Sequence, residues 1–166
     1  MRYAVVPIAE EHIVGFCSAV DIVAREHAYL AFLEGPPLEM SREFVLRNIR
    51  ENRPHFVALW EDRVVGWCDI AALDRPVFSH AGVLGMGVVP EHRGKGVGRR
   101  LISAAINKAR EIGLTRIELT VREQNSRAIA LYRKMGFVTE GRHPRAVRIY
   151  GHYEDHISMG LWLGET

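Results

Sequence analysis

Pro90-Glu91-His92-Arg93-Gly94-Lys95-Gly96-Val97-Gly98-Arg99-Arg100 puts three glycines and four Lys or Arg side chains into one short run. The apolar stretch Ala81 to Val89 precedes it and reads as a strand stopped by Pro90. A helical pattern follows, with Leu101, Ala105, Ala109 and Ile112 on one face, Ile102 and Ile106 beside it, and Gly113 placed to cap it. A glycine loop between strand and helix is a candidate anion site. Glycine reaches torsions closed to other residues and lets a ligand approach the backbone. The free N–H groups at a helix start carry positive potential.

Two common phosphate signatures fail on inspection. A Walker loop needs a hydroxyl after its lysine, and Lys95 is followed by Gly96. A dinucleotide fingerprint, G-x-G-x-x-G, would need its third glycine where Arg99 stands if counted from Gly94, or where Leu101 stands if counted from Gly96. What remains suits a pyrophosphate held by backbone, with charge from Arg93, Lys95, Arg99 and Arg100 and no metal required.

Outward from this run the hydrophobic period gives the element order. Tyr3 to Ile8 is β-compatible, and Ile13, Phe16, Cys17, Val20, Val23 and Ala24 predict a helix from Glu10 to about Leu30. Ser41 is read as the N-cap of a second helix containing Glu43, Phe44, Val45 and Ile49. His55–Trp60 and Arg63–Ile70 form a hairpin about Glu61-Asp62. After the central helix come a strand at Arg116–Val121, a short helix from Ser126 to Met135 ended by Gly136, and strands near Phe137–Arg142 and His156–Leu163.

Composition narrows the class. With 166 residues, 48% apolar and 25% charged, the chain fits one soluble domain over 1–166. A net charge of +2 gives no bulk field for nucleic acid or an anionic membrane, so neither is expected as a partner. No run approaches the length of a membrane span, and the start Met1 to Pro7 lacks a signal peptide's apolar core. Cys17 and Cys68 stand far apart without metal-ligand spacing, which reads as two free thiols in a reducing cytoplasm.

The run from Val88 to Leu101 resembles the acetyl-CoA motif, Arg/Gln-x-x-Gly-x-Gly, of the GNAT N-acetyltransferases. A second block agrees: Asn125, Ala128, Leu131-Tyr132 and Gly136-Phe137 match the family's N-x-x-A-x-x-x-Y-x-x-x-G-F. The likeness is nearest to phosphinothricin-type and ribosomal-protein-type acetyltransferases, partly through Gly151-His152-Tyr153-Glu154-Asp155. It implies an α/β (α+β) fold, a mixed, mostly antiparallel sheet of about seven strands flanked by about four helices. It implies acetyl-CoA as co-substrate, no metal, and direct transfer to a primary amine of a small amino-acid-like molecule or a protein N-terminus. A homodimer through the last strands is also implied. The alternative is a non-catalytic acyl-CoA sensor or interaction module.

By the same resemblance, Leu84–Val88 would splay from Ile117–Val121, and the pantetheine arm would pair with backbone near Met86 and Val88. The loop Arg93, Gly94, Lys95, Gly96, Val97, Gly98 and Arg99 would hold the pyrophosphate. Asn125 would bond the arm and Tyr132 would protonate the leaving thiolate. The residues alone also allow Tyr132 as a core tyrosine and Asn125 as a plain N-cap. Many family members carry a glutamate base on the strand before the loop, yet Ala81–Val89 has no carboxylate. The base comes from elsewhere or from water; Glu118, Asp69, His80 and Glu26 are the side-chain candidates, and the sequence does not choose. On the acceptor side, Glu26, Glu34 and Glu39 would suit a cationic amine, whereas His143-Pro144-Arg145 and Arg148 would suit a carboxylate, with Tyr150, Tyr153 and Asp155 adding hydrogen bonds.

Overall fold

The computed structural model describes residues 2–164; Met1, Glu165 and Thr166, which the readings above include, lie outside them. In chain order the elements are β1 (Ala4–Pro7), α1 (Ile13–Ala24), α2 (Leu38–Arg50), β2 (His55–Trp60), β3 (Arg63–Ala72), β4 (Ala81–Val88), α3 (Val97–Glu111), β5 (Arg116–Arg122), α4 (Ser126–Lys134), β6 (Val138–Ile149) and β7 (His152–Trp162). The strands form one sheet in the order β1-β2-β3-β4-β5-β7-β6. Among the described residues only the β4–β5 pair is parallel. This is the mixed, mostly antiparallel seven-stranded sheet with four helices that the motifs imply.

Successive residues of a strand face opposite sides of a sheet, and β3 shows what covers each side. The Trp67 ring meets Phe16 of α1, with centroids 6.0 Å apart. A side chain at Gly66 would meet Leu101 of α3 at 3.2 Å. Helices α1 and α3 therefore sandwich the sheet. The α3 stripe Leu101, Ile102, Ala105 and Ala109 is fully buried. Each such leucine or isoleucine contributes about 1.5–3 kcal/mol by leaving water.

Local chemistry explains most boundaries. Glu61 and Asp62 both have positive φ, 48° and 61°, the backbone of a two-residue hairpin turn. Gly113 follows α3 at φ 86°. Three expectations shift. Helix α1 stops at Ala24 rather than near Leu30, because His27 enters the left-handed region at φ 55° and the chain turns into a strap, residues 25–37. Ser41 is not an N-cap: α2 starts at Leu38 after Pro37, and Ser41 is buried with its N–H on the Pro37 carbonyl at 3.1 Å. The last two strands are longer than read and meet at Tyr150-Gly151, where φ is 47° and 84°. Pro144 hid this hairpin; it is tolerated because β6 is an edge strand whose register skips between His143 and Val147.

Candidate active site

Strands β4 and β5 pair only from Ala81 to Val83 against Arg116 to Glu118. Beyond that point β4 stays with β3 as far as Val88, and β5 stays with β7 as far as Arg122. The two strands part, and a cavity of about 690 Å³ opens between them. Met86 and Val88 line one side of it, Thr120 and Val121 the other.

The glycine loop closes one end. Gly94 and Gly96 have φ of 72° and 79°, and a side chain at Gly96 would meet nothing within 4 Å. The loop backbone is thus left-handed and open to a ligand. The first helical bond of α3 runs from the Arg100 N–H to the Gly96 carbonyl. Among the described residues no backbone carbonyl accepts from the N–H groups of Gly94 through Arg99. Such an array at a helix start fits a pyrophosphate. Gly98 has a second use: a side chain there would press at 3.2 Å on both Met86 and Leu131.

Helix α4 supplies the other side. Asn125 caps it, its Oδ1 accepting from the Ala128 N–H at 3.2 Å, and among the described residues its amide NH2 has no partner beside the cavity. Tyr132 is 8% exposed and packs on Phe137 with centroids 5.8 Å apart, yet it lines the cavity. Burial, with the Cys68 thiol nearby as a smaller cause, pushes its phenol above the usual range, so the phenol keeps its proton. Burial, and next to it Asp69, likewise raises Cys68, which stays a thiol.

This split sheet with its loop and capped helix corresponds to a known family: residues 24–137, more than half of the chain, match the model of the acetyltransferase (GNAT) family. The chain belongs to that family. An N-alpha-acetyltransferase, RimI, of Mycobacterium tuberculosis is 36% identical over 118 residues, covering 70% of this chain and 69% of that protein. The L-amino acid N-acyltransferase MnaT of Escherichia coli is 33% identical over 88 residues, covering 53% of this chain and 51% of that protein. The chain therefore spans only about half the length of some curated relatives it matches. A phosphinothricin acetyltransferase from Sinorhizobium meliloti, solved with AcCoA, shares the fold at a TM-score of 0.92 and 20% identity, over 99% of this chain and 90% of that one.

Within this GNAT site, Met86, Val88, Arg93, Gly94, Gly96, Val97, Gly98, Arg99, Asn125 and Tyr132 all border the cavity. Lys95 is exposed and does not. Arg93 borders it with its guanidinium already engaged, by the Val88 carbonyl at 2.8 Å, Glu26 at 2.9 Å and the Tyr29 ring at 4.8 Å. Arg100 donates to the Tyr3 carbonyl at 2.8 Å and ties down β1. Sequence reading missed Arg127, whose guanidinium lies 3.5 Å from where a Gly94 side chain would begin. Its only local sign is a place in the first turn of the helix that Asn125 caps.

The acceptor side is walled by the strap. Tyr29, Leu30 and Phe32 line the cavity, and Arg122 holds them there. Arg122 is 3% exposed and donates to the carbonyls of His27 at 2.8 Å and Leu30 at 2.6 Å, with Glu154 3.5 Å away. The acidic candidates are all paired: Glu26 with Arg93, Glu34 with Arg25 at 3.2 Å, Glu39 with Arg42 at 3.6 Å. The β6–β7 candidates sit elsewhere. His143 meets Ser158 at 3.2 Å, Arg145 and Arg148 stack on Tyr153, Asp155 takes Arg142 at 2.6 Å, and Tyr150 lies against His27. Of that hairpin His156 reaches the cavity, held below the ordinary imidazole range by burial, then by Arg122 and His143.

The base candidates also sort. Glu118 is 3.2 Å from Arg116, which also binds Glu140, and neither it nor His80 borders the cavity. Asp69 is not on the cavity lining either; it is buried on β3, directly across from Gly85 of β4, which is.

Proposed function

We propose that this protein transfers the acetyl group of acetyl-CoA directly to a primary amine in a ternary complex. The acceptor is a small amino-acid-like molecule or a protein N-terminus. One observation carries the reading: the β4–β5 split joins unpartnered N–H groups at one end to a protonated phenol bordering the same cavity. In this reading the pyrophosphate sits on the backbone of Gly94, Lys95, Gly96, Val97, Gly98 and Arg99, with charge from the Arg99 and Arg127 side chains. Arg93 serves the loop by anchoring it to Val88 and Glu26. The pantetheine arm runs along Met86 and Val88, and the Asn125 amide donates to it.

The amine lone pair attacks the thioester carbon, and a β4 N–H stabilises the developing oxyanion. Collapse breaks the C–S bond, and Tyr132 protonates the thiolate. A thiol pKa near 8.5 makes that acid helpful rather than essential, so its loss costs about tenfold. The names of two relatives, an L-amino acid N-acyltransferase and an N-alpha-acetyltransferase, support an α-amino acceptor. So does the pairing of Glu26, Glu34 and Glu39, which leaves no free acid among them to draw in a polycation.

Three further readings belong to the same proposal. The chain acts as one domain over 1–166, supported by a single sheet with one core. It pairs as a homodimer through its last strands, supported by the edge position of β6 and by exposed Val138 and Trp162. It works in the cytoplasm, supported by free thiols at Cys17 and Cys68.

The test is acetyl-CoA-dependent release of CoA thiol across free amino acids, N-terminal peptides, polyamines and aminoglycosides. An amino acid or peptide should give turnover well above the acceptor-free rate, and Tyr132→Phe should lower kcat about tenfold with acetyl-CoA affinity unchanged. Tight acetyl-CoA binding without turnover on any amine would replace the enzyme with a sensor.

A further inference from the structure

We propose that Asp69 accepts the proton of the incoming amine, reaching the cavity across the place on β4 where Gly85 has no side chain. The inference rests on the acetyl-transfer reading above. Register puts His55 of β2, Asp69 of β3 and Gly85 of β4 in one row across the sheet. Asp69 is two residues from Trp67, so the row faces α1 and the strap, the acceptor side. A side chain at residue 85 would begin 3.7 and 3.8 Å from the two Asp69 carboxylate oxygens. With glycine there, nothing on β4 comes between that carboxylate and the cavity that Gly85 borders. One pair along, the Trp67 indole lies over Gly87 and closes that gap.

Asp69 is 8% exposed, and among the described residues no side chain or backbone group donates to its carboxylate. Among the described residues the enclosed side-chain atom left without a partner is His55 Nε2, not an Asp69 oxygen, so the oxygens keep contact with solvent. An unpaired carboxyl in this setting ionises reluctantly, and burial raises Asp69 to about 7. That matches the pH at which an α-amino group, with its ordinary pKa near 8, must be relieved of a proton. His55 supplies no counter-charge. Its Nδ1 meets the Asn48 amide at 3.1 Å, and burial lowers it to about 3, so it stays neutral.

The other titratable groups on this face are engaged or uncharged. On α1, Asp21 is bound by Arg25 and Cys17 meets the Pro36 carbonyl, while in the strap Glu26 is bound by Arg93. Strand β4 carries none, and Cys68 faces the opposite side of the sheet from Asp69. The protons then balance. Of the two that the ammonium nitrogen gives up, Asp69 takes the first and passes it to solvent. The second offsets the proton that Tyr132 delivers to the sulfur as the N–C bond forms and the C–S bond breaks.

The experiment compares wild type, Asp69→Asn and Gly85→Ala with the best acceptor from the amine panel, reading kcat/KM against pH and acetyl-CoA affinity by calorimetry. Wild-type kcat/KM should rise with pH through about 7. Asp69→Asn should lose that limb and about 100-fold or more in kcat, with acetyl-CoA affinity kept within about twofold. Gly85→Ala adds only a methyl at ordinary contact distance, so it folds, and by screening the carboxylate it should lower kcat without removing the limb. Wild-type kcat and an unchanged pH profile in Asp69→Asn would overturn the proposal while leaving acetyl transfer intact. If Asp69→Asn fails to fold, an unimpaired Gly85→Ala overturns it instead. A wild type inactive on every amine removes both readings together.

Discussion

Across the cavity the two walls treat polar groups in opposite ways. On the side of the β4–α3 loop and α4, they stand free. Among the described residues the N–H groups from Gly94 to Arg99 lack backbone partners, and Asn125 and Tyr132 border the cavity. On the side of α1 and the strap, they are closed on one another: Glu26 on Arg93, Asp21 on Arg25 and the Gly35 N–H, Arg122 on two strap carbonyls. The first wall is ready for a ligand of fixed chemistry. The second is a self-consistent partition whose shape, more than its charge, meets the acceptor. Asp69 is the exception on that second side, an acid without a partner among the described residues.

The largest effect should come from breaking the open wall. Gly96→Glu brings a negative charge and a strained backbone, at φ 79°, into the array that faces the pyrophosphate. Calorimetry should show acetyl-CoA affinity falling by about a thousandfold or beyond detection, and the fold should survive because nothing lies within 4 Å of the new Cβ. Wild-type affinity in this variant would remove the loop from the site.

The contrast between the walls also explains what the sequence discloses. Free donors need no distant partner, so a glycine run followed by a helix announces the first wall within eleven residues. The second wall is written in pairs far apart along the chain, Glu26 with Arg93 and Leu30 with Arg122. No local pattern marks such pairs, and the acids there read equally well as a solvated face. Arg127 and His156 escaped for the same reason. Asp69 was visible as one candidate among four, but its distinction depends on cross-strand register with Gly85, which periodicity alone does not supply. The overlong first helix shows the limit from another side: nothing in the amphipathic pattern announces that His27 turns left-handed.

A middle-sized effect isolates the exception. Because burial raises Asp69 from an ordinary 3.8 to about 7, its folded form holds a proton that the unfolded chain has released. A group shifted upward stabilises the fold fully below its unfolded value and loses that contribution as pH rises through the folded one. Asp69→Asn should therefore melt near wild type at pH 4 and progressively above it up to about pH 7, then keep a constant lead. At 1.36 kcal/mol per pKa unit that lead is about 4 kcal/mol at most. A melting difference that does not change with pH would mean that the carboxyl is not held in a reluctant state. The pairing of stability gained with turnover lost is what an acid retained for chemistry should show.

The smallest effect decides to which wall Arg93 belongs. Its guanidinium borders the cavity near the glycine loop, yet its hydrogen bonds run to Val88 and Glu26, and the Glu26 carboxylate is the chief cause raising its already high pKa. Glu26→Gln keeps the shape of the contact and removes its charge. If Arg93 is a latch between strap and loop, acetyl-CoA affinity should stay within about twofold while the acceptor KM rises, by about 1 kcal/mol or fivefold for a partly exposed pair. If the freed guanidinium instead turned to the pyrophosphate, acetyl-CoA would bind several-fold more tightly at low salt, and the gain would fade as ionic strength rose. The latch is the expected outcome, because the Val88 carbonyl and the Tyr29 ring hold the guanidinium in place after the carboxylate is neutralised. Arg93 would then report on the acceptor wall from within the cofactor motif.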